Sequence, residues 1–397
     1  MSLLLMTGAA SAQSGADTGQ GAFFTGEYPN ALAEIGIPQA DIDARLETAF
    51  QQLFYGNDTT QRVYYPVGDD MAYVLDIANN DVRSEGMSYG MMIAVQMDKQ
   101  AEFDRIWTWA KTYMYHPDDP YAGYFSWHNE TDGRMIDQNP APDGETWFAT
   151  ALLFADARWG SGAGIYDYAA EANAILNAMI HRDPMGIGTP MFDPEAKMIV
   201  FVPSPGRDST FTDPSYHTPH FYEIWARKAA QDNDFWAETA QVSRDFWHLA
   251  AHPETGLMSN YTQFTGEPVV RSNYGEYYYA DAWRIGMNIA LDYVWFRADE
   301  WQVGELNRLL TFFYDQGIDS YTSRFKIDGT PADPQHRATG LIATNAVATL
   351  AADTAFDDEF VQAFWDTPIP VGQYRYYDGL LYLMALLQVS GNFRAYT

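Results

Sequence analysis

The sequence predicts an all-α protein, and three observations carry that prediction. Apolar residues recur at steps of three and four residues in about twelve segments, which is the spacing of amphipathic helices. Strand-like segments are few and short, and Met198–Val202 is the best of them. Helices also follow one another without the alternating strands that an α/β fold requires.

The helical segments are separated by loops rich in Pro, Gly and Asp, such as residues 117–120 and 203–206. In chain order, the twelve segments cover residues 40–55, 86–97, 102–115, 145–158, 166–181, 219–230, 234–251, 282–297, 303–315, 339–352, 358–365 and 378–390. No linker-like stretch interrupts the chain after residue 20, so residues 21–397 are expected to form one domain.

A dozen helices in one domain fit either a helical solenoid or an (α/α)6 barrel. A solenoid would show a repeat of roughly 34–47 residues with a shared consensus, and the sequence contains no such repeat. We therefore expect an (α/α)6 barrel with few short strands in its loops.

Residues 1–20 are interpreted as a truncated export signal followed by a flexible tail. Ala10-Ser-Ala12 has the form of a signal-peptidase site, although the usual basic region is missing and the apolar stretch is short. This predicts a periplasmic or secreted protein and leaves a cytoplasmic one open.

Composition excludes several classes of function. The net charge of −30 argues against nucleic acid and anionic membranes as partners. The absence of cysteine rules out disulfides and thiolate metal sites. Aromatic residues make up 16% of the chain, and their rings suit the C–H faces of sugars, although most are expected in the core. The composition leaves the oligomeric state open.

Three acidic residues stand at the beginnings of predicted helices. Glu85 precedes the helix at 86–97, Asp143 lies just before 145–158, and Asp281 opens 282–297. If the inner helices of a barrel run parallel, their N-termini meet at one end, and the three acids would converge there. For Asp143 and Asp281 taken alone, helix capping remains the alternative.

Several runs around these acids resemble glycoside hydrolase family 8. The family signature is matched by Ala141-Pro-Asp-Gly-Glu-Thr-Trp-Phe-Ala-Thr-Ala-Leu-Leu-Phe-Ala-Asp-Ala-Arg-Trp159, in which Pro142, Glu145 and Phe148 depart from the usual residues. Glu85-Gly-Met-Ser-Tyr-Gly90 resembles the general-acid segment and Asp281-Ala-Trp-Arg284 the general-base segment. Asp213–Tyr222 is also family-like. The resemblance covers nearly all of residues 20–397 and implies an (α/α)6 barrel that hydrolyses β-1,4-glycosidic bonds with inversion.

The resemblance also implies a role for each residue. Glu85 would be the general acid and Asp281 the general base, with Arg284 one helical turn further on to hold the base ionised. Asp143 resembles the aspartate that positions the central sugar, and Tyr216 resembles the tyrosine that orients the water. Inversion requires the acid and the base to lie roughly 6.5–9.5 Å apart. The candidates for stacking against sugar rings are Trp127 and Tyr377.

The resemblance is closer to the xylan-directed members of the family. Ala22–Tyr28, Val67–Asp70 and Gly340–Asn345 are similar to segments of reducing-end xylose-releasing exo-oligoxylanases and related xylanases. In the exo enzymes a loop carrying Leu-His-Pro closes the cleft, whereas this chain has Gln335-His-Arg-Ala-Thr339. His336 and Arg337 are expected to bind the terminal sugar in its place, and the alternative is that they are solvated loop residues beside an open cleft. Release of xylose from the reducing end of xylo-oligosaccharides is predicted, with endo-cleavage of β-1,4-xylan as the close alternative and cellulase or β-glucanase activity behind it.

Three other interpretations of the sequence are less well supported. Gly86-Met-Ser-Tyr-Gly90 matches the nucleophile elbow of serine hydrolases, but residues 79–85 read as too polar for the strand that the motif requires. His217, His220 and Glu223 have a spacing that could hold a metal, but the two histidines are interpreted as satisfied structural residues. No metal or other cofactor is therefore expected. A non-catalytic carbohydrate-binding protein would not need the acid–base pair.

Overall fold

The computed structural model describes residues 20–118, 120–182, 189–204, 206–272, 274–333 and 336–397. The predicted signal and most of the tail, residues 1–19, lie outside the described residues. Within them, the chain forms fourteen α-helices and seven short strands. The prediction of a mainly helical protein with few short strands is confirmed.

The helices are numbered in chain order. They are α1 Ala22–Thr25, α2 Ala31–Glu34, α3 Gln39–Tyr55, α4 Ser84–Gln96, α5 Gln100–Tyr113, α6 Pro142–Trp159, α7 Tyr168–Ile180, α8 Pro219–Lys228, α9 Asn233–Ala250, α10 Trp283–Phe296, α11 Trp301–Asp315, α12 Thr339–Ala348, α13 Asp357–Asp366 and α14 Tyr377–Val389. The strands are β1 Tyr64–Val67, β2 Met71–Asp76, β3 Asp81–Arg83, β4 His128–Asn129, β5 Met135–Asp137, β6 Tyr277–Tyr278 and β7 Phe325–Lys326.

All twelve predicted helices are present, with ends displaced by a few residues. The predicted segment 145–158 begins earlier, at Pro142, because proline is well suited to the first turn of a helix. The predicted segment 339–352 ends earlier, at Ala348. The four-residue helices α1 and α2 were not predicted.

The longer helices fall into two groups that differ in burial. Helices α4, α6, α10, α12 and α14 are buried on nearly all sides, which fits their apolar composition around the whole circumference. Together with α8 they make contacts in the order α4–α6–α8–α10–α12–α14 and back to α4. One amphipathic helix packs on each helix of this ring: α5 on α4, α7 on α6, α9 on α8, α11 on α10, α13 on α12 and α3 on α14. None of the described helices is long and apolar enough to cross a membrane.

An antiparallel sheet with the order β1-β2-β3-β4-β5 leads the chain into α4. Leu75 pairs with Val82, and Arg83 pairs with His128. The last residue of β3 directly precedes α4, and the N–H of Ser84 donates to the carbonyl of Trp127 at 3.0 Å. The sheet therefore fixes where the first turn of α4 starts.

The predicted strand at Met198–Val202 was wrong. Only Ile199 takes part in an isolated bridge, with Phe192. The backbone N–H groups of Phe201 and Val202 donate instead to the carbonyls of Phe211 and Asp208, because the following loop folds back onto this segment.

The expectation that residues 79–85 are too polar for a strand was wrong for part of that stretch. Asp81–Arg83, within the stretch judged too polar for a strand, is the middle strand of the sheet, and Asp81 is 5% exposed. Its carboxylate pairs with the guanidinium of Arg83 at 3.1 Å and lies 2.7 Å from Nε2 of His128. Ser88 is nevertheless buried inside α4 and donates to the carbonyl of Glu85 at 2.9 Å, so it does not form a nucleophile elbow.

Candidate active site

One guanidinium binds all three acids that the sequence placed at helix starts. Nη1 of Arg284 donates to Glu85 Oε2 at 2.9 Å and to Asp143 Oδ2 at 3.3 Å. Nη2 of Arg284 donates to Asp281 Oδ1 at 3.2 Å. The expected convergence of the three carboxylates is therefore present in the structure. Arg284 is only 2% exposed, so its contacts are to these protein groups and not to the open cleft.

Helix geometry brings the acids together. Glu85 is the second residue of α4 and Asp143 is the second residue of α6. Asp281 lies in a short 3-10 turn, Ala280–Ala282, that runs directly into α10. The positive end of each helix dipole favours a carboxylate at these positions.

Capping does not explain the two aspartates. Neither α6 nor α10 has a side-chain hydrogen bond at its N-cap. Asp143 accepts the N–H of its neighbour Gly144 at 2.9 Å, which satisfies one donor of the first turn and leaves its other oxygen to Arg284.

The acids line a cleft of about 420 Å³, a size that can hold a short oligosaccharide. Glu85, Asp143 and Asp281 lie in its wall with Trp127 and Tyr216, as expected of a shared site. Sequence reasoning missed several other lining residues, among them Arg83, Asn139, Phe201, Asp208 and Tyr261.

Burial sets the protonation of two of the acids. It raises the pKa of Glu85 to about 7, with Asp143 and Asp281 adding to the rise and Arg284 opposing it. Burial likewise raises the pKa of Asp143 to about 6, against the influence of Arg284. Glu85 therefore carries a proton up to about neutral pH, as a proton donor must.

Tyr216 is held by a second buried aspartate. Asp213 Oδ1 accepts the N–H of Ser215 at 2.7 Å and so caps the 3-10 turn Pro214–Tyr216. Burial, together with the nearby Asp281, raises the pKa of Asp213 well above its usual range. The ring of Tyr216 lies 6.0 Å from the guanidinium carbon of Arg284, next to the three acids.

Three further polar residues complete this cluster, and sequence reasoning assigned none of them a role. The hydroxyl of Tyr376 donates to Glu85 Oε1 at 3.2 Å. Arg284 donates to the hydroxyls of Tyr89 at 2.6 Å and Ser215 at 2.9 Å. Tyr89 follows Glu85 by one helical turn, a spacing that could have identified it.

Of the two residues predicted to stack on sugar rings, only Trp127 belongs to the described lining of the cleft. Trp127 lines the cleft, and the guanidinium of Arg83 lies 5.6 Å from its ring centre. Tyr377 is half-buried and does not belong to the described lining of the cleft. Its hydroxyl donates to the carbonyl of Ala280 at 2.9 Å, immediately before Asp281.

His336 and Arg337 are exposed and are also not part of that lining. The carbonyl of His336 accepts the hydroxyl of Ser323 at 2.7 Å, and Arg337 donates to the carbonyl of Ile318 at 2.9 Å. The ring of His336 lies 6.5 Å from that of Tyr279, two residues before Asp281. Gln335 lies outside the described residues.

The histidine motif has a structural explanation. His217 lies between the hydroxyls of Thr212 at 3.0 Å and Ser243 at 2.8 Å, so it is satisfied as expected. His220 is buried and neither of its ring nitrogens has a hydrogen-bond partner among the described residues, so that part of the expectation was wrong. Burial lowers the pKa of both histidines. In the described part of the chain, no three His, Asp or Glu residues are grouped so that they could hold a metal ion.

The sequence model for glycosyl hydrolases family 8 matches residues 74–391, a span that contains all three acids. The chain belongs to glycoside hydrolase family 8. It is accordingly a glycosidase.

Among its relatives, the chain is 49% identical to the reducing-end xylose-releasing exo-oligoxylanase Rex8A of Paenibacillus barcinonensis, over 96% of this chain and 99% of that protein. It is 44% identical to a reducing-end xylose-releasing exo-oligoxylanase of Halalkalibacterium halodurans, over 95% of this chain and 96% of that protein. Endoglucanase A of Acetivibrio thermocellus is more distant, at 26% identity over 93% of this chain and 74% of that protein.

Solved structures agree with these relationships. Rex8A of Paenibacillus barcinonensis complexed with xylose has a TM-score of 0.91 and 48% identity, and the match covers 95% of this chain and 100% of that chain. A family 8 xylobiose complex from Teredinibacter turnerae has a TM-score of 0.91 and 47% identity, with the same coverage.

Proposed function

We propose that this glycosidase cleaves β-1,4-xylosidic bonds with inversion and releases xylose from the reducing end of xylo-oligosaccharides. The observation that carries the proposal is the convergence of Glu85, Asp143 and Asp281 on one guanidinium in a single cleft. The nearly full-length similarity to reducing-end xylose-releasing exo-oligoxylanases points to the substrate.

In the proposed reaction, Glu85 donates its proton to the glycosidic oxygen as the bond to the anomeric carbon breaks. Asp281 accepts a proton from the water that attacks the opposite face of the sugar, so that the configuration inverts. The pKa of Glu85, raised to about 7 by burial, supports its role as the acid. Nη2 of Arg284 lies 3.2 Å from Asp281 Oδ1, and this contact with a cation supports Asp281 as the base.

Asp143 and Tyr216 act on the reacting sugar and the water. Asp143 holds hydroxyls of the central sugar, and Tyr216 orients the attacking water beside Asp281. Their shared position in the cleft wall supports both roles.

The proposed architecture is an (α/α)6 barrel. It is supported by the sequence of contacts that returns from α14 to α4, with one amphipathic helix packed on each of the six helices in that ring. Parallel inner helices account for the three acids at one end of the molecule.

Endo-cleavage of xylan is the second candidate, because the loop before α12 departs from the exo enzymes. Of the usual Leu-His-Pro, only the histidine has a counterpart, His336. The described contacts of His336 and Arg337 bind them to neighbouring loops. The proximity of His336 to Tyr279 nevertheless favours a barrier on the Asp281 side of the cleft.

Products from xylotriose, xylohexaose and polymeric xylan test the proposal. We expect equal amounts of xylose and the oligomer shortened by one unit from the earliest times, with little loss of xylan viscosity. The variant His336→Ala/Arg337→Ala should shift the products toward longer oligomers. If the unmodified protein rapidly lowers xylan viscosity and releases little xylose, the exo proposal is wrong and the enzyme is an endoxylanase.

We also infer export to the periplasm or the medium. The support is the Ala10-Ser-Ala12 sequence near the start of the chain. Fractionation of cells that express the chain from its own first residue tests this inference, and retention in the cytoplasm would contradict it.

A further inference from the structure

Two consecutive tyrosines at the start of α14 reach the two sides of the acid–base pair. The hydroxyl of Tyr376 binds the carboxyl group of Glu85, and that of Tyr377 binds the backbone that carries Asp281. We propose that Tyr376 and Tyr377 are positioning residues that fix the acid and the base relative to each other. The proposal rests on the roles of Glu85 and Asp281 in the proposed function.

Tyr376 completes the binding of the acid. Its hydroxyl is 3.2 Å from Glu85 Oε1, while Arg284 is 2.9 Å from Oε2, so each carboxyl oxygen is held by a different helix. The space for this contact comes from Gly86. A Cβ atom at that position would lie 2.7 Å from the hydroxyl oxygen of Tyr376. The glycine therefore allows the tyrosine to lie against the first turn of α4.

Tyr377 fixes an unusual backbone conformation beside the base. Ala280 has φ of +32°, in a region that residues with a side chain seldom adopt. Such a conformation persists where its surroundings hold it. The carbonyl of Ala280 accepts the Tyr377 hydroxyl at 2.9 Å, and the N–H of Ala282 donates to Asn260 Oδ1 at 3.1 Å. These two bonds hold the turn on either side of Asp281.

Adjacency in sequence is what couples the two contacts. Because Tyr376 and Tyr377 share one stretch of backbone, a displacement of α14 moves both hydroxyls together. The Glu85 carboxyl group and the turn that carries Asp281 are thus both anchored to the start of α14.

The Tyr376 hydroxyl also favours the ionised form of Glu85, because a hydrogen bond to a charged acceptor is stronger than one to a neutral acceptor. Its removal should raise the pKa of Glu85. The other titratable groups that face Glu85 are Arg83, Tyr89, Asp143, Asp281, Arg284 and Tyr377, and the substitution Tyr376→Phe removes none of them.

The test compares Tyr376→Phe and Tyr377→Phe with the control Tyr382→Phe. Tyr382 lies on the same helix but outside the described lining of the cleft, and its hydroxyl accepts a hydrogen bond from Arg45 at 2.8 Å. In Tyr376→Phe, the alkaline limb of the pH profile of kcat/KM on xylotetraose should move up by about one pH unit. In Tyr377→Phe, kcat should fall about tenfold, with KM and the alkaline limb unchanged, because about 1.4 kcal/mol of positioning is lost. Tyr382→Phe should behave as the wild type.

Carbon NMR titration of the Glu85 carboxyl group gives a second readout that does not depend on turnover. A higher pKa of Glu85 in Tyr376→Phe supports the proposal, whichever substrate the enzyme prefers. An unchanged or lower pKa overturns it, as does a Tyr377→Phe variant that raises KM while kcat stays the same. Failure of the wild type to release xylose from xylotetraose would instead count against the proposed function.

Discussion

At the scale of single residues, Arg284 is central to the site, since its almost wholly buried guanidinium forms ion pairs with three carboxylates. Arg284→Met should destabilise the protein by about 3–5 kcal/mol at pH 8, because removal of one partner leaves buried charge uncompensated. Lowering the pH to 5 should reduce this loss, since Asp143 and Glu85 then take up protons and no longer need the cation. Urea denaturation at both pH values measures it.

The matched control is Arg134→Met, which removes an exposed ion pair with Glu130. Its effect should stay below about 1 kcal/mol at either pH. A loss for Arg284→Met that is small, or that is the same at pH 5 and pH 8, would contradict the account of the cluster.

The acid and base assignments predict a loss of turnover without a loss of fold. Glu85→Gln and Asp281→Asn should each lower kcat by about 10²–10⁴-fold, since each removes one proton transfer. Circular dichroism should match the wild type, and Glu195→Gln, which changes an exposed carboxylate outside the described lining of the cleft, should retain full activity. Near-normal turnover by either folded active-site variant would refute its assignment.

A buried acid outside the proposed chemistry gives a prediction about stability. Glu145 is fully buried, and burial raises its pKa to about 8. One of its oxygens accepts the N–H of Phe125 at 2.8 Å, and the other has no partner in the described residues. The folded protein therefore binds a proton on Glu145 more tightly than the unfolded chain does.

The sign of the pH dependence follows from the raised pKa. The stability that neutral Glu145 provides is fully present below about pH 4.5 and is lost as pH rises toward 8. Gln at this position cannot ionise, so the stability of Glu145→Gln relative to the wild type should improve by about 1.4 kcal/mol per pH unit across that interval. Urea denaturation from pH 5 to pH 8 measures the difference, and a difference independent of pH would contradict it.

At the scale of elements, the first turn of α4 shows how close packing serves the site. Gly86→Ala should lower both stability and kcat, because its Cβ would meet the Tyr376 hydroxyl at 2.7 Å and displace it from Glu85. Gly304→Ala is the control within α11, where the nearest atom is the flexible end of Arg308 at 4.0 Å. That substitution should stabilise the protein by about 0.4–1 kcal/mol. Equal effects of the two substitutions on thermal unfolding would be inconsistent with this packing.

The elements also show which features the sequence could predict. Helices and the three acids at their starts were accessible because each depends on a local pattern. The sheet was missed because residues 71–75 of β2 are apolar on both faces, so the alternation of half-buried and buried positions is not visible in the sequence. Tyr376 was missed because its contact with Glu85 joins residues far apart in the chain, and no local motif marks it.

At the scale of the whole molecule, the ring of contacts through α4, α6, α8, α10, α12 and α14 explains why acids from three distant segments share one cleft. Length and composition alone allowed several arrangements of a dozen helices. The absence of a shared repeat and the family resemblance selected among them, whereas the side-chain geometry around Arg284 could only come from the folded structure. The loop with His336 and Arg337 shows what the sequence could not predict, since the residue types there did not determine whether the side chains line the cleft.

The central claim is that Glu85 and Asp281 act as a separate acid and base on the two faces of a xylosidic bond. Proton NMR of xylotetraose hydrolysis at early times tests it most directly. The account predicts that the new reducing end, on the xylotriose product, appears first as the α-anomer, together with an equal amount of xylose. An initial β-anomer on xylotriose would mean retention of configuration and would contradict the account.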